Sequence, residues 1–139
     1  MTTADTKPNT EKQNLYATGK RKTSVARVYL QKGKGAITIN NRKFDDYFSR
    51  GLHKLLICQP LKATNTSDSY DIKCFVRGGG ASGQAGAVKH GISKILARLN
   101  QDFHALLRNA GFLTRDDRKV ERKKPGRPKA RKKFQFSKR

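Results

Sequence analysis

The sequence predicts an α+β domain carrying a long basic tail, on three observations. Apolar and polar residues alternate with a strand period between residues 15 and 39 and again between 70 and 77. Apolar residues recur with a helix period between 85 and 107, and from residue 114 onward no apolar period remains. The 139 residues leave room for one core of the commonest domain size, about 100 residues, with appendages. The predicted division is a polar leader over 1–14, a globular unit over 15–113 and an extended basic tail over 114–139.

Each element has its own signal. "LYATGKRKTSVARVYLQ" alternates through Val25, Arg27, Val28, Tyr29 and Leu30 with one slip, and reads as a strand with a bulge or a fully buried end. "KGKG", residues 32–35, reads as the glycine turn of a hairpin leading into "AITINN", whose Ile37 and Ile39 share a face. "KFDDYF" supplies a short helical turn. "GLHKLLICQP" sets Leu52, Leu55 and Leu56 at helical spacing and is expected to stop at Pro60, which has no N–H to donate. "SDSYDIKCFVRGGG" returns to strand text, with Ile72, Cys74 and Val76 alternating with Lys73, Phe75 and Arg77. Ala85, Val88, Ile92, Ile95, Leu96 and Leu99 then form one face of a four-turn helix. Asp102 is the expected cap of a second helix, "FHALLRNAG", with Phe103, Leu106 and Leu107 inward and Gly111 as its left-handed stop.

Charge narrows the function. Lys and Arg number 32 against 10 acids, a formal net charge of +22. A compact chain so charged repels itself unless a polyanion neutralises it, most simply a nucleic acid. About half of that excess lies in the last fifth of the chain, where residues 114–139 hold 13 Lys or Arg and 3 acids, and Pro125 with Pro128 keeps the segment from forming one long helix. No run approaches the roughly 18 consecutive apolar residues of a membrane span. "MTTADTKPNTEKQN" has neither the apolar segment of a signal peptide nor the arginines of a transit peptide, so a cytosolic location is expected.

Catalysis is not expected. Asp45, Asp46, Asp68, Asp71 and Asp102 are scattered, and no serine has a histidine and a carboxylate in plausible partnership. Cys58 and Cys74 sit in apolar stretches and read as buried thiols, and His53, His90 and His104 share no metal-ligand spacing with them. No metal, cofactor or small-molecule substrate is predicted.

The sharpest local motif is "GGGASGQAGAVKHG", in which Gly78, Gly80 and Gly83 satisfy G-x-G-x-x-G between a predicted strand and a predicted helix. A dinucleotide site also needs a second parallel strand with an acid about 20 positions further on. Here that region is "NQDFHALL", a helix start, and the Walker pattern fails because Gln84 stands where its lysine belongs. Three readings remain open for Gly78, Gly79, Gly80, Ser82, Gly83 and Gln84: an RNA-phosphate cradle, a purely structural tight turn, and a nucleotide pocket. Lys89 and His90, one turn into the helix, lie in reach of the same phosphate, and His90 equally suits packing. "GKRKTSVAR" sets Lys20, Arg21 and Lys22 beside Thr23 and Ser24 at the mouth of the first hairpin. "GKGK" and "NNRK" add further cationic loops, a distribution suited to folded RNA, whose backbone runs in many directions.

"GKRKTSVARV", "INNRKFDDYF", "GGGASGQAGAVKHGI", "AGFLTRDDRKVERKKPG" and the terminal "QFSKR" resemble, in order and spacing, the bacterial type of small-subunit ribosomal protein 9, from about Tyr16 to Arg139. That resemblance implies a small mixed sheet with two helices on one face, a split β-α-β arrangement with a left-handed crossover like the second domain of ribosomal protein five. It implies a place in the head of the small subunit, on the 3′ major domain of 16S rRNA beside neighbouring head proteins. It also implies a tail whose end touches the anticodon stem-loop of P-site tRNA.

Carried over by motif, Lys20, Arg21, Lys22, Arg27, Lys89, His90, Arg115, Arg118, Arg122, Lys123 and Lys124 face rRNA, and the tail cations Arg127, Lys129, Arg131, Lys132 and Lys133 continue that contact. Ser137, Lys138 and Arg139 are the tRNA-contacting tip, and the chain from Lys123 to Arg139 spans up to about 55–60 Å when extended. Lys20 and Lys89 stand where arginine is common, "PGRPK" is richer in proline than the usual pattern, and Phe134 takes a place often held by proline. The reading kept beside this one is a general, histone-like nucleic-acid-binding protein.

Overall fold

A computed structural model describes residues 15–136. Five strands and four helices follow in the order β1 (Leu15–Arg21), β2 (Ser24–Lys32), β3 (Ile37–Ile39), β4 (Arg42–Lys43), α1 (Phe44–Tyr47), α2 (Gly51–Ala63), β5 (Tyr70–Arg77), α3 (Ala81–Leu99) and α4 (Gln101–Asn109). The strands form one mixed sheet in the order β1-β2-β5-β3-β4. Only β3 and β5 run parallel, and the chain between them passes through β4, α1 and α2. α3 lies on one face of the sheet against β1, β2 and β5, and α2 and α4 pack on α3.

The pleat explains which face is covered. Ala17 on β1, Ala26, Val28 and Leu30 on β2, and Ile72, Cys74 and Val76 on β5 are buried, while their alternate neighbours face away from the helices. Val88, Ile92, Ile95 and Leu96 of α3 complete that core with Ile57 of α2 and Leu107 of α4, each fully buried large side chain contributing about 1.5–3 kcal/mol. α3 is buried almost all round, including Gly83, Gly86, Gly91 and Ser93, because it is the middle layer between the sheet and the other helices. β1 and α3 approach closely: a Cβ on Gly19 would overlap the carbonyl oxygen of Ala87, and one on Gly91 would stand 2.5 Å from Cγ2 of Val28.

Several sequence expectations are corrected. "LYATGKRKTSVARVYLQ" is two antiparallel strands closing at Lys22 and Thr23, with Arg21 opposite Ser24 and Lys22 at φ +51°. The inward positions are odd-numbered on β1 (Ala17, Gly19) and even-numbered on β2 (Ser24, Ala26, Val28), so across the two-residue loop the phase shifts by one and the hairpin reads as one strand with a slip. "KGKG" does not join a hairpin, because β5 lies between β2 and β3. The second hairpin is β3–β4, closed by Asn40 and Asn41 at φ +50° and +64°, the left-handed pair that a tight two-residue loop demands.

Pro60 does not end α2, which runs on to Ala63 with Pro60 and Leu61 buried. The carbonyl of Pro60 accepts both the N–H of Thr64 (3.2 Å) and its hydroxyl (3.0 Å), and Thr66 N–H reaches Leu61 O, so the last turn is satisfied. Leu52 and Leu55 point outward, 65% and 55% exposed, and the inward positions are His53, Ile57, Pro60 and Leu61. Asn100, not Asp102, caps α4: its Oδ1 accepts the N–H of Asp102 at 3.0 Å. Leu106 is exposed, whereas Gly111 has the predicted left-handed φ of +78°.

Candidate nucleic-acid interface

The glycine loop and the β1–β2 turn meet at one end of the sheet. Ser24, fully buried, donates its hydroxyl to the carbonyl of Gly78 at 2.9 Å. Gln84 Nε2 donates to the same carbonyl at 3.2 Å, while the hydroxyl of Tyr47 donates to Gln84 Oε1 at 2.7 Å. Asn40 donates to Tyr47 Oη and to Val76 O, and accepts the N–H of Val76. The loop is thereby tied to β2, β3, β5 and α1 at once. Gly78 and Gly79 hold φ of +76° and +65°, where a side chain is strained, and a Cβ on Gly79 would run into Ser24 Oγ. A structural turn therefore accounts for both. Gly80 differs: it has open space around it, starts α3 without a side-chain cap, and with Ala81 and Ser82 is exposed. The dinucleotide reading loses its context, because among the described residues no strand follows α3.

A second group forms where β1 passes α3. The Arg21 stem lies over Gly86, and its guanidinium pairs with Asp116 at 3.5 Å. Lys89 sits over the ring of Phe112, 5.2 Å from its centre, and burial, then the neighbouring Arg21, pulls its ammonium below the ordinary lysine range. His90 is 6% exposed. Its Nδ1 accepts the backbone N–H of Lys20 at 3.4 Å, so Nε2 carries the proton and donates to Leu113 O at 3.3 Å. Burial, with Lys94, Arg115 and Lys89 nearby, holds the ring below the usual imidazole range although the Leu113 bond opposes this. Arg21, Lys89 and Arg115 are thus brought together, with His90 as the neutral peg beneath them, whereas Lys20 joins only through its backbone N–H and its exposed side chain takes the outward pleat position of β1.

At the opposite end the KGKG loop already holds an anion. Asp71 Oδ1 accepts the backbone N–H groups of Lys34, Gly35 and Ala36 at 2.9, 3.0 and 2.9 Å. Those bonds, led by Ala36, lower the Asp71 carboxyl below the ordinary carboxylate range. The cations Lys32 and Lys34 remain exposed there.

Beyond Asn109 no helix or strand occurs among the described residues. Arg118 forks onto Asp116 (2.8–3.2 Å), while Lys124 and Arg131 hold Glu121 at 3.2 and 2.8 Å. Among the described residues Arg122, Lys123, Arg127, Lys129, Lys132 and Lys133 make no ion pair with a carboxylate. Arg27 lies apart from these groups on the outer sheet face, over Phe75. Ser137, Lys138 and Arg139 lie outside the described residues.

Residues 19–139 match the family model described as ribosomal protein S9/S16. The chain belongs to the ribosomal protein S9/S16 family. It is 59% identical over 125 residues to small ribosomal subunit protein uS9 of Rickettsia bellii, covering 90% of this chain and 76% of that protein. It is 55% identical over 127 residues to uS9 of Syntrophobacter fumaroxidans, covering 91% of this chain and 98% of that protein. As an S9/S16 protein it is a structural constituent of the small ribosomal subunit and not an enzyme, it works in the cytoplasm, and its partners are rRNA and other ribosomal proteins. Among the described residues no helix is long and apolar enough to cross a membrane, and no three His, Cys, Asp or Glu side chains cluster as for a metal.

Three features escaped the sequence reading. Asp71 is 35 residues or more from the amides it binds, so no local pattern announces it. Lys94 and Arg98 hold the edge of β1 through the carbonyls of Thr18 and Tyr16, each at 3.0 Å. The outer face of the S9 sheet carries its own signal, aromatics and cations at Arg27 and Tyr29 and at Lys73, Phe75 and Arg77, in the opposite phase to the apolar residues.

Proposed function

We propose that residues 15–113 form the rRNA-binding body and 114–139 an extended tail, that this chain binds 16S rRNA in the head of the small subunit, and that the tail's last residues touch the P-site tRNA anticodon stem-loop. The observation that carries the reading is the tail's unneutralised charge: six cations between Arg122 and Lys133 have no carboxylate partner among the described residues. So dense a run of like charge is stable only against phosphate, and it leads directly to Ser137, Lys138 and Arg139. On the body, Arg21, Lys89 and Arg115 gather on one side, and the exposed Gly80, Ala81 and Ser82 start α3. Membership of the S9/S16 family favours this over a general nucleic-acid-binding role.

The test is P-site tRNA affinity of purified small subunits carrying the chain truncated after Ser137, or carrying Arg139→Ala. A charged hydrogen bond of net worth about 1.5–3 kcal/mol corresponds to roughly a tenfold to hundredfold loss, blunted by other contacts to the tRNA. Subunits with normal amounts of the chain and weaker tRNA binding are expected. Unchanged affinity for every P-site tRNA means that the tail is only an rRNA anchor.

A further inference from the structure

The sheet face turned away from the helices belongs to neither group above. Cross-strand register sets its side chains in rows: Tyr16 opposite Tyr29 and Tyr29 opposite Lys73, and next to that row Arg27 opposite Phe75. The rings form a continuous ladder, Tyr16 to Tyr29 at 5.0 Å between centres and Tyr29 to Phe75 at 6.1 Å, edge-on. Arg27 and Lys73 stand 5.5 and 5.4 Å from the centre of the Phe75 ring. Among the described residues no helix covers this face, and Tyr16 is 43% exposed on it. A groove of about 410 Å³ runs along it between Tyr29, Thr38, Lys73 and Phe75. Asp71 is the acid at its margin, and Oδ1 of that carboxylate is already bonded to three backbone amides.

From this arrangement we infer that the open sheet face, with Tyr16, Tyr29 and Phe75 as platforms and Arg27 and Lys73 beside them, binds an unpaired RNA strand by base stacking. The inference rests on the rRNA-binding reading and adds to it a surface and a kind of RNA. Charge decides the occupant. An apolar protein surface laid here would desolvate Arg27 and Lys73 without pairing them. An RNA strand presents flat bases to the rings and phosphates to the cations together, which is how sheet-borne aromatics hold single-stranded RNA in general. The helical edge of a duplex offers no exposed base face to these rings, so the strand must be unpaired.

The experiment has two arms. In the first, small subunits containing the full chain are irradiated with ultraviolet light and digested, and cross-linked peptides are identified by mass spectrometry. Adducts between rRNA and peptides containing Tyr29 or Phe75 are expected. Adducts from these residues to another protein, or none in subunits holding one copy of the chain, overturn the inference and leave the wider rRNA reading intact.

In the second arm the free full-length chain is titrated with a uridine hexanucleotide over a range of salt. Tyr29→Leu with Phe75→Leu is expected to weaken binding about tenfold with an unchanged salt slope, because stacking and not charge is lost. Arg27→Gln with Lys73→Gln, at exposed positions, is expected to flatten the slope without unfolding the chain. If neither pair changes the binding of the hexanucleotide, the inference fails, whether or not the chain enters subunits. A chain that is excluded from subunits but shows both effects instead defeats the ribosomal placement alone.

Discussion

The imidazole of His90 bridges two segments far apart in the chain, accepting the N–H of Lys20 at Nδ1 and facing the carbonyl of Leu113 from Nε2 at 3.3 Å. The bridge fastens the point where the tail leaves α4 to the edge strand β1. The Leu113 contact needs an Nε2–H and the Lys20 contact an unprotonated Nδ1, so the two hold together only in the neutral, Nε2-protonated ring, and protonation breaks the Lys20 contact.

Stability of the free protein is therefore expected to depend on this ring. Its pKa is lowered on folding, so its contribution is fully present above the ordinary imidazole value of 6.5 and is lost as pH falls through the lower folded value. Thermal unfolding followed from pH 7.5 to below 6 should show a declining Tm, and His90→Gln should flatten that decline. Removing the side chain by His90→Ala is expected to cost about 1–3 kcal/mol, since buried partners lose their bonds. A Tm profile identical in wild type and His90→Gln would exclude the bridge as its cause.

Gly19 is where β1 meets α3 most closely, and the carbonyl of Ala87 occupies the space of any side chain. Gly19→Ala is expected to destabilise the domain by about 1–3 kcal/mol through forced separation of backbone from backbone. Urea denaturation checks this, with an unchanged m-value expected because the fold survives.

Gly80 separates the two remaining readings of the glycine loop. It has an extended φ of −101° and nothing within reach of an added Cβ, so Gly80→Asp is sterically allowed and supplies the cap that α3 lacks. The free protein should gain about a few tenths of a kcal/mol. If an RNA phosphate uses those same amides, rRNA affinity should fall in the same variant. A more stable protein with unaltered rRNA affinity assigns the loop to structure alone.

Asp71 stands in for an anion in the loop after β2. Its lowered pKa means that its contribution is present above the ordinary carboxyl range and is lost as pH falls through the folded value. Asp71→Asn should speed hydrogen exchange at Lys34, Gly35 and Ala36 at neutral pH, and the wild type should show the same acceleration only in acid. Exchange unchanged in the variant would mean that the loop holds its shape without the carboxylate.

The two cysteines should differ under a thiol reagent. Burial pushes Cys74 up to about 12, whereas Cys58 is half-buried and raised less decisively, by burial first with Lys62 opposing. One thiol is expected to react in the native state and the second only at the rate of unfolding. Equal, rapid labelling of both would contradict the packing of β5 under α3.

Local signals in the sequence determine much of this protein. The alternation of Ile72, Cys74 and Val76 gave β5, the period from Ala85 to Leu99 gave the body of α3, Gly111 marked a helix stop, and the charge of the last 26 residues named a polyanionic partner. These features depend on neighbours a few positions apart. Strand order is not among these features, because a period of two says which side chains share a face and nothing about which strand lies alongside; only the tertiary structure places β5 between β2 and β3. Pro60 stayed inside α2 because packing of Pro60 and Leu61 and the Thr64 contacts offset its missing donor. His90 illustrates the same division: its place on the helix was legible in spacing, but whether it would meet phosphate or protein depended on Lys20 and Leu113, 70 and 23 residues away, which only the folded chain brings to its two nitrogens.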